Sequence, residues 1–227
     1  MPRGYWQMRI DDDSANLCTF NSPYGTYRYK RMTFGIKFAP EIFQRIMMQM
    51  LDDLEGIEVV MDDILIWGET EELHDARLEA VLNRLREHNV KLNREKCKLR
   101  VTEVSYIGHV LTQEGVKPDP RKVEAVTRMQ KPANKKELQR YLGMITYLAK
   151  FIPNLSDVTA PLRKLLEKDT DWQWLHEQDK AFEILQKLVT EAPVLQYYSV
   201  TEPVVVSVDA SKDGVGAVLL QNGKPVA

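Results

Sequence analysis

The fold of this chain is decided by the stretch Ile57-Glu58-Val59-Val60-Met61-Asp62-Asp63-Ile64-Leu65-Ile66. It is apolar except for Glu58 and the aspartate pair, which predicts two short strands joined by a tight turn at Met61-Asp62-Asp63. A bare aspartate pair is more often a solvated turn. Apolar flanks argue against that here, because burying two charges is costly without a metal or partner. The stretch therefore predicts a rigid hairpin that presents two carboxylates, the hard ligands that magnesium prefers.

Helices are predicted on both sides of this hairpin. Pro40 opens the first, and the second spans about residues 71–88. Their inward-facing residues are predicted to be Phe43, Ile46, Met47, Met50 and Leu51 in the first, and Leu78, Val81, Leu82 and Leu85 in the second. Two strands are predicted around the Ser22–Gly25 turn, and further strands at 90–92 and 104–111.

The character of the sequence changes near Pro118 and Pro120. Helices are predicted at about 120–129, 135–152 and 178–190, and the period-two pattern from Pro203 onward predicts a new sheet. Strands early, helices in the middle and a second sheet at the end indicate an α+β fold.

Composition narrows the class of protein. The chain has 227 residues, 44% of them apolar and 28% charged, which is typical of a globular protein. No apolar run approaches the roughly 18 residues of a membrane span, so no membrane partner is expected. Cys18 and Cys97 have neither metal-ligand spacing nor a disulfide framework, which favours a reducing, intracellular location with cytoplasm and nucleus both open.

The net charge of −2 hides an uneven distribution. Residues 51–80 carry eleven acidic residues and one basic residue, whereas residues 84–150 carry sixteen basic and seven acidic residues. An acidic block beside a basic block suits metal chemistry next to a polyanion, although two solvated helical faces would give the same pattern. Charge therefore supports a nucleic-acid partner without requiring one.

Ordered motifs along the chain resemble those of gypsy-type (Metaviridae) LTR-retrotransposon reverse transcriptases. The matching segments are Gly4-Tyr5-Trp6-Gln7-Met8, Phe34-Gly35-Ile36-Lys37-Phe38-Ala39-Pro40-Glu41-Ile42-Phe43-Gln44, Val60-Met61-Asp62-Asp63-Ile64-Leu65, Leu92-Asn93-Arg94-Glu95-Lys96-Cys97, Tyr106-Ile107-Gly108-His109, Gly115-Val116-Lys117-Pro118-Asp119-Pro120, Leu142-Gly143-Met144 and Val208-Asp209-Ala210-Ser211. The resemblance implies a reverse-transcriptase palm of antiparallel strands and helices over 1–112, a helical thumb over 113–165, a connection over 166–201, and the start of a ribonuclease H-like sheet over 202–227.

The resemblance also implies roles for individual residues. Asp62 and Asp63 would be catalytic and would ligate Mg²⁺, with Mn²⁺ as an alternative. The remaining roles are nucleotide or template binding by Tyr5, Phe34, Gly35 and Gln44, a general acid at Lys96, a primer grip at Ile107, Gly108 and His109, and a ribonuclease H metal ligand at Asp209. The implied partners are an RNA/DNA template–primer and deoxynucleoside triphosphates. Taken singly, each of these residues could equally be an ordinary core or surface residue.

Three departures from the family pattern stand out. Val60 replaces an aromatic residue before Met61-Asp62-Asp63, and Phe38 replaces an asparagine before Ala39-Pro40. The family's first metal-binding aspartate would fall five residues before Tyr5, upstream of Met1, so the chain as given is expected to show little or no primer extension. Two functions stay open: an RNA-directed DNA polymerase with ribonuclease H, in truncated form, or a decayed or domesticated fragment that only binds nucleic acid or a partner. An unrelated α+β domain with a chance Asp-Asp turn is the third reading.

Overall fold

The computed structural model describes residues 4–211 and 214–226 of the chain. The fold divides into two compact units, Met1–Val101 and Thr102–Ala227. Both units combine helices with antiparallel strand pairs, which confirms the predicted α+β class. Within the described residues, no helix is long and apolar enough to cross a membrane.

The first unit is built around two hairpins and two long helices. Its elements are a 3₁₀ turn Gly4–Gln7, α1 (Asp12–Leu17), β1 (Thr19–Ser22), β2 (Gly25–Arg28), α2 (Ala39–Leu51), β3 (Ile57–Val60), β4 (Asp63–Ile66), α3 (Glu71–Glu87) and a 3₁₀ turn Arg94–Lys96. β1 pairs with β2 and β3 with β4, both antiparallel. The predicted hairpin at 57–66 is therefore confirmed.

The core of the first unit lies where α2 and α3 cover the β3–β4 hairpin. Its buried residues are Phe43, Met47, Met50, Leu51, Val59, Val81 and Leu85. Ile46 and Leu82 were predicted to face inward, but they are 38% and 39% exposed. The physical reason is that a two-stranded hairpin covers only a narrow stripe of each helix, so residues at the edge of the stripe stay in solvent.

The strand predicted at Val90–Leu92 is wrong, since this segment pairs with no strand in the part of the chain that the structure describes. The side chain of Gln7 satisfies its backbone instead. The Gln7 amide nitrogen donates to the carbonyl of Lys91 at 3.2 Å, and its amide oxygen accepts from Lys91 N–H at 2.7 Å. One amide side chain thus supplies the two hydrogen bonds that a neighbouring strand would give.

The second unit joins a three-stranded sheet, a helical layer and a second sheet. Its elements are β5 (Glu103–Tyr106), β6 (His109–Thr112), β7 (Gly115–Pro118), α4 (Pro120–Thr127), α5 (Lys135–Tyr147), a 3₁₀ turn Ala149–Phe151, α6 (Leu155–Lys164), α7 (His176–Thr190), β8 (Val205–Ser211), β9 (Gly214–Gln221) and β10 (Lys224–Pro225). The strand orders are β5-β6-β7 and β10-β9-β8.

The helices of the second unit depart from the prediction in two places. The helix predicted over 135–152 ends at Tyr147 and is followed by a 3₁₀ turn. α6 was not predicted, because its Pro161 is the residue type that normally ends a helix. Its Leu162 is fully buried, so packing of α6 into the core outweighs the lost backbone hydrogen bond.

Asp119 anchors the start of α4. Its carboxylate is buried and accepts from the backbone N–H of Arg121 at 2.9 Å, as the helix N-cap, and from the Arg121 guanidinium at 2.7 Å. The guanidinium of Arg121 holds the pKa of Asp119 below its usual range. The Pro118-Asp119-Pro120 motif therefore begins the helical layer with an ionised cap.

Tyr141 lies at the centre of the second core with a solvent-excluded hydroxyl. The residue is 0% exposed, and within the described residues its Oη has no hydrogen-bond partner. We expect Tyr141→Phe to stabilise the protein by about 1 kcal/mol, because it removes a buried donor that pays a desolvation penalty. Urea unfolding followed by circular dichroism measures this. A loss of stability would show that the hydroxyl has a bonded partner.

Candidate active site

The turn of the β3–β4 hairpin places the two aspartates at the surface of the first unit. Val60 pairs with Asp63, so Met61 and Asp62 form the two-residue connection. Met61 adopts a φ of 52°, a left-handed conformation that is uncommon for a residue with a side chain. Both carboxylates are exposed. The turn is therefore a strained, solvent-facing platform for two adjacent acidic groups.

Gln44 holds this turn from α2. Its amide nitrogen donates to the carbonyl of Val59 at 2.7 Å, and its amide oxygen accepts from the backbone N–H of Met61 at 2.5 Å. The two bonds bracket Val60 and tie the end of β3 to the helix. Gln44 was predicted to bind nucleotide or template, and that role stays a prediction. The observed geometry adds a contact with the acidic turn.

The Asp62 carboxylate lies next to Gly4 and an aromatic cluster. A Cβ on Gly4 would lie 2.6 Å from the Asp62 carboxylate oxygen and 3.1 Å from the ring of Phe43. The ring of Tyr5 lies 5.6 Å from that of Phe43 and 5.3 Å from that of Phe34, centroid to centroid. The absence of a side chain at Gly4 is what lets the carboxylate approach this cluster.

The structure thus brings together four of the residues singled out from the sequence, Tyr5, Phe34, Gln44 and Asp62, with Asp63 next to Asp62 in the same turn. Tyr5 and Phe34 are in ring contact, Gly35 follows with a φ of 93°, and Gln44 contacts the turn that carries Asp62. Phe34 is 61% exposed, so its ring is available to a flat ligand such as a base. An acidic turn beside an exposed aromatic surface can hold a cation and stack a base.

Lys96 lies in the first unit, at the end of the 3₁₀ turn Arg94–Lys96. Its side chain is exposed and forms no ion pair within the part of the chain that the structure describes. Asn93 caps the turn by accepting from Glu95 N–H at 3.1 Å. The role of Lys96 as a general acid therefore stays a prediction.

Ile107, Gly108 and His109 lie in the second unit. Tyr106 pairs with His109, so Ile107 and Gly108 form a two-residue turn between β5 and β6. The His109 ring lies 5.9 Å from the Tyr147 ring, nearly parallel to it, and 5.6 Å from that of Phe151. Burial, with a smaller effect of Lys150, lowers the pKa of His109, so its imidazole is neutral at pH 7.

Asp209 lies on β8 in the same unit, opposite Gly216 of β9. Its side chain is exposed, and its carboxylate accepts from the N–H of Ala210 at 3.0 Å. Among the described residues, no group of three or more His, Cys, Asp or Glu side chains has metal-ligand geometry. Its role as a metal ligand stays a prediction.

The carboxylate oxygens of the aspartate pair are donor atoms suited to a divalent cation. Asp62 and Asp63 offer adjacent carboxylate oxygens on an exposed turn, and magnesium is commonly held by one or two carboxylates while the remaining positions go to water and phosphate. Two protein ligands leave most of the coordination sphere open. Such a site suits an ion that is shared with a phosphate-bearing substrate.

Three residues that contribute to these sites were not identified as functional from the sequence. Phe43 was assigned to the core, yet it also supports Tyr5 and faces Gly4. Gly4 was quoted within a motif without a role of its own. Tyr147 was not singled out at all, although it contacts the Ile107–Gly108 turn. A glycine next to a motif aromatic is a signal that could have pointed to Gly4.

Comparison with known proteins defines the class. Residues 1–111 match the family described as "Reverse transcriptase (RNA-dependent DNA polymerase)", and residues 174–227 match "RNase H-like domain found in reverse transcriptase". The chain thus carries reverse transcriptase and ribonuclease H-like sequence of the kind found in transposon pol polyproteins. This confirms the predicted reverse transcriptase and ribonuclease H assignment.

Two curated relatives are transposon polyproteins. The "Retrovirus-related Pol polyprotein from transposon 297" of Drosophila melanogaster is 36% identical over 100% of this chain and 22% of its own length. The "Transposon Tf2-3 polyprotein" of Schizosaccharomyces pombe is 34% identical over 96% of this chain and 16% of its own length. The chain therefore spans about a fifth or less of these relatives.

Solved structures give the same class. A foamy viral protease-reverse transcriptase in complex with double-stranded DNA superposes with a TM-score of 0.89 at 26% identity, covering 98% of this chain and 40% of that one. A foamy viral protease-reverse transcriptase in complex with an RNA/DNA hybrid superposes with a TM-score of 0.84 at 26% identity, covering 98% and 31%. The α+β fold is thus that of reverse transcriptases.

Proposed function

We propose that this chain is part of the RNA-directed DNA polymerase and ribonuclease H of a gypsy-type LTR-retrotransposon pol polyprotein. The observation that carries the proposal is the exposed Asp62-Asp63 turn beside the Tyr5–Phe34 ring pair. It offers carboxylates for a divalent cation and an aromatic surface for a nucleotide within one unit. The similarity to transposon 297 and Tf2 polyproteins supports the family.

In this proposal Asp62 and Asp63 hold Mg²⁺, or Mn²⁺ in its place. The bound cation would neutralise phosphate charge during transfer of a nucleotidyl group from a deoxynucleoside triphosphate. Gln44 keeps the acidic turn in place through Val59 and Met61, and Tyr5 and Phe34 contact the nucleotide. Asp209 would serve the ribonuclease H site, and Lys96 would act as the general acid of polymerisation.

The template–primer would lie on the helices of the second unit. Lys122 of α4 and Arg140 of α5, both exposed, line a groove of about 290 Å³ whose floor includes Met144 and Tyr147. Basic side chains over an aromatic and apolar floor suit a sugar–phosphate backbone. The solved foamy viral structures were complexes with double-stranded DNA and an RNA/DNA hybrid, which supports the same class of partner.

Duplex binding tests this assignment. We expect the chain to bind a fluorescein-labelled RNA/DNA hybrid with a recessed 3′ end, with an affinity that falls steeply as salt rises. The double variant Lys122→Glu, Arg140→Glu should bind at least tenfold more weakly and show a smaller salt slope, because two phosphate contacts become repulsive. Fluorescence anisotropy over a KCl series measures both quantities.

Lys168→Glu serves as the matched control, since Lys168 is exposed and lies outside this groove. Its affinity should stay within about twofold of the parent protein, the effect of one distant charge at physiological ionic strength. An equal loss in the control, or no duplex binding at low salt, would overturn the proposed nucleic-acid surface. Duplex binding without binding of Mn²⁺ would instead favour a fragment that binds nucleic acid and has no catalytic site.

A further inference from the structure

The turn between β5 and β6 is held in an unfavourable conformation. Ile107 has a φ of 47° and Gly108 a φ of 74°, so both central residues of this two-residue turn are left-handed. Such turns match the twist of a hairpin, but they favour asparagine, aspartate or glycine at the first position. A β-branched residue there is an outlier. Something outside the hairpin must therefore keep Ile107 in place.

Tyr147, the last residue of α5, supplies that contact. Its hydroxyl donates to the carbonyl oxygen of Ile107 at 3.3 Å, across 40 residues of sequence. Gly108 makes the approach feasible, because a Cβ at that position would overlap the Tyr147 hydroxyl. Because Gly108 has no side chain, it can adopt the positive φ and also leaves space for the Tyr147 hydroxyl.

Tyr147 is itself held from two sides. Its ring lies nearly parallel to that of His109, at 5.9 Å and 20°, and the ammonium group of Lys122 lies 5.5 Å from the ring centroid. The ring is therefore contacted by a strand and by a neighbouring helix, with its hydroxyl directed at the turn, while 46% of the residue is exposed. The hydrogen bond from this hydroxyl can select one turn conformation.

We propose that Tyr147 is a positioning residue for the Ile107–Gly108 turn and sets the conformation in which this turn meets the end of a primer strand. This rests on the proposed function, in which Ile107, Gly108 and His109 grip the primer. Ile107 is 56% exposed, so its side chain is accessible to a sugar or base at the strand terminus.

Tyr147→Phe tests the positioning role because it removes the hydroxyl and keeps the ring contacts with His109 and Lys122. The methyl resonances of Ile107, followed by ¹³C-methyl NMR of the 227-residue protein, should broaden or split as the turn samples a second conformation. Tyr141→Phe on the same helix is the matched control, and it should leave those resonances unchanged. Unchanged Ile107 resonances in Tyr147→Phe would overturn the positioning role.

Binding to two duplexes tests the consequence. One is an RNA/DNA hybrid with a recessed 3′ end, and the other is the same hybrid with that end closed by a hairpin loop. We expect Tyr147→Phe to reduce the preference for the recessed end, measured as the ratio of the two affinities, at least threefold, because phenylalanine keeps the ring in the groove and removes only the hydroxyl that contacts the turn. Equal weakening for both hybrids would show that Tyr147 acts on duplex binding in general, and would overturn the proposal.

Failure of the primer-grip assignment and failure of the positioning role of Tyr147 give different results. If the parent protein shows no preference for the recessed end, the primer-grip assignment of the turn is wrong, and the NMR result still decides whether Tyr147 holds it. If the parent protein shows the preference and Tyr147→Phe keeps it in full, the primer grip stands and the positioning role of Tyr147 is wrong.

Discussion

Asp62→Asn is expected to weaken binding of Mn²⁺ by the chain at least tenfold, equivalent to about 1.4 kcal/mol. The reason is geometric: the Asp62 carboxylate lies against Gly4 and the aromatic cluster of Phe43, Tyr5 and Phe34, where the nucleotide is proposed to bind. Asparagine keeps the shape of the side chain and removes the charge that a hard cation requires. Electron paramagnetic resonance of free Mn²⁺, titrated with the protein and its bound RNA/DNA hybrid, measures the affinity.

Asp63→Asn tests the second proposed ligand, because it removes the same charge one residue away. Asp63 begins β4, pairs with Val60 and is exposed. We expect a loss of similar size, because both carboxylates are proposed to hold the ion. Asp13→Asn is the matched control, since Asp13 is an exposed carboxylate of α1 outside this turn, and its loss should be no more than about twofold. If Asp13→Asn loses affinity equally, the ion is bound by the general negative charge of the protein, and the specific role of the turn is wrong. Circular dichroism checks that the variants fold.

Gly115→Ala is expected to destabilise the second unit by about 2–4 kcal/mol, through backbone strain and overpacking together. Gly115 begins β7 with a φ of 137°, a conformation that residues with side chains rarely adopt. A Cβ there would overlap the carbonyl oxygen of Leu195. Val116 and Leu195 exchange two backbone hydrogen bonds of 2.7 and 2.9 Å at this point, so the obstructing atom cannot move without breaking them.

Gly143→Ala provides the control for this variant. Gly143 lies within α5, and a Cβ at its position would meet nothing within 4 Å. Alanine should therefore stabilise the helix by about 0.5–1 kcal/mol. Urea unfolding followed by tryptophan fluorescence reports on this unit when Trp6 and Trp67 of the first unit are replaced by phenylalanine in both proteins, because Trp172 and Trp174 pack against the core of the second unit. A loss in Gly115→Ala below 1 kcal/mol would mean that β7 and the Leu195 segment separate easily.

The local elements were largely predictable from sequence. Apolar strands around Met61-Asp62-Asp63 predicted the β3–β4 hairpin, and Pro40 predicted the start of α2 to within one residue. These features depend on residues that are close in the chain, where periodicity and turn preference act directly. The exposure of Ile46 and Leu82 could not be predicted in the same way, because it depends on how much of each helix a distant hairpin covers.

Contacts between distant residues account for what was missed. The strand predicted at 90–92 failed because the amide of Gln7 took the place of a partner strand. α6 was missed because its Pro161 breaks the local pattern, whereas packing of Leu162 into the core keeps the helix. In both cases tertiary interactions outweighed a local preference.

The sequence by itself determined the reverse transcriptase class, the α+β fold and the acidic hairpin that carries Asp62 and Asp63. Ordered motifs and short-range hydrophobic patterns were enough to predict these features, because each depends on residues that are close together in the chain. Only the tertiary structure decided that Gln44 brackets the turn, that Gly4 opens the space beside Asp62, and that Tyr147 reaches Ile107. Each of those contacts joins residues from different elements, and side-chain packing sets their approach.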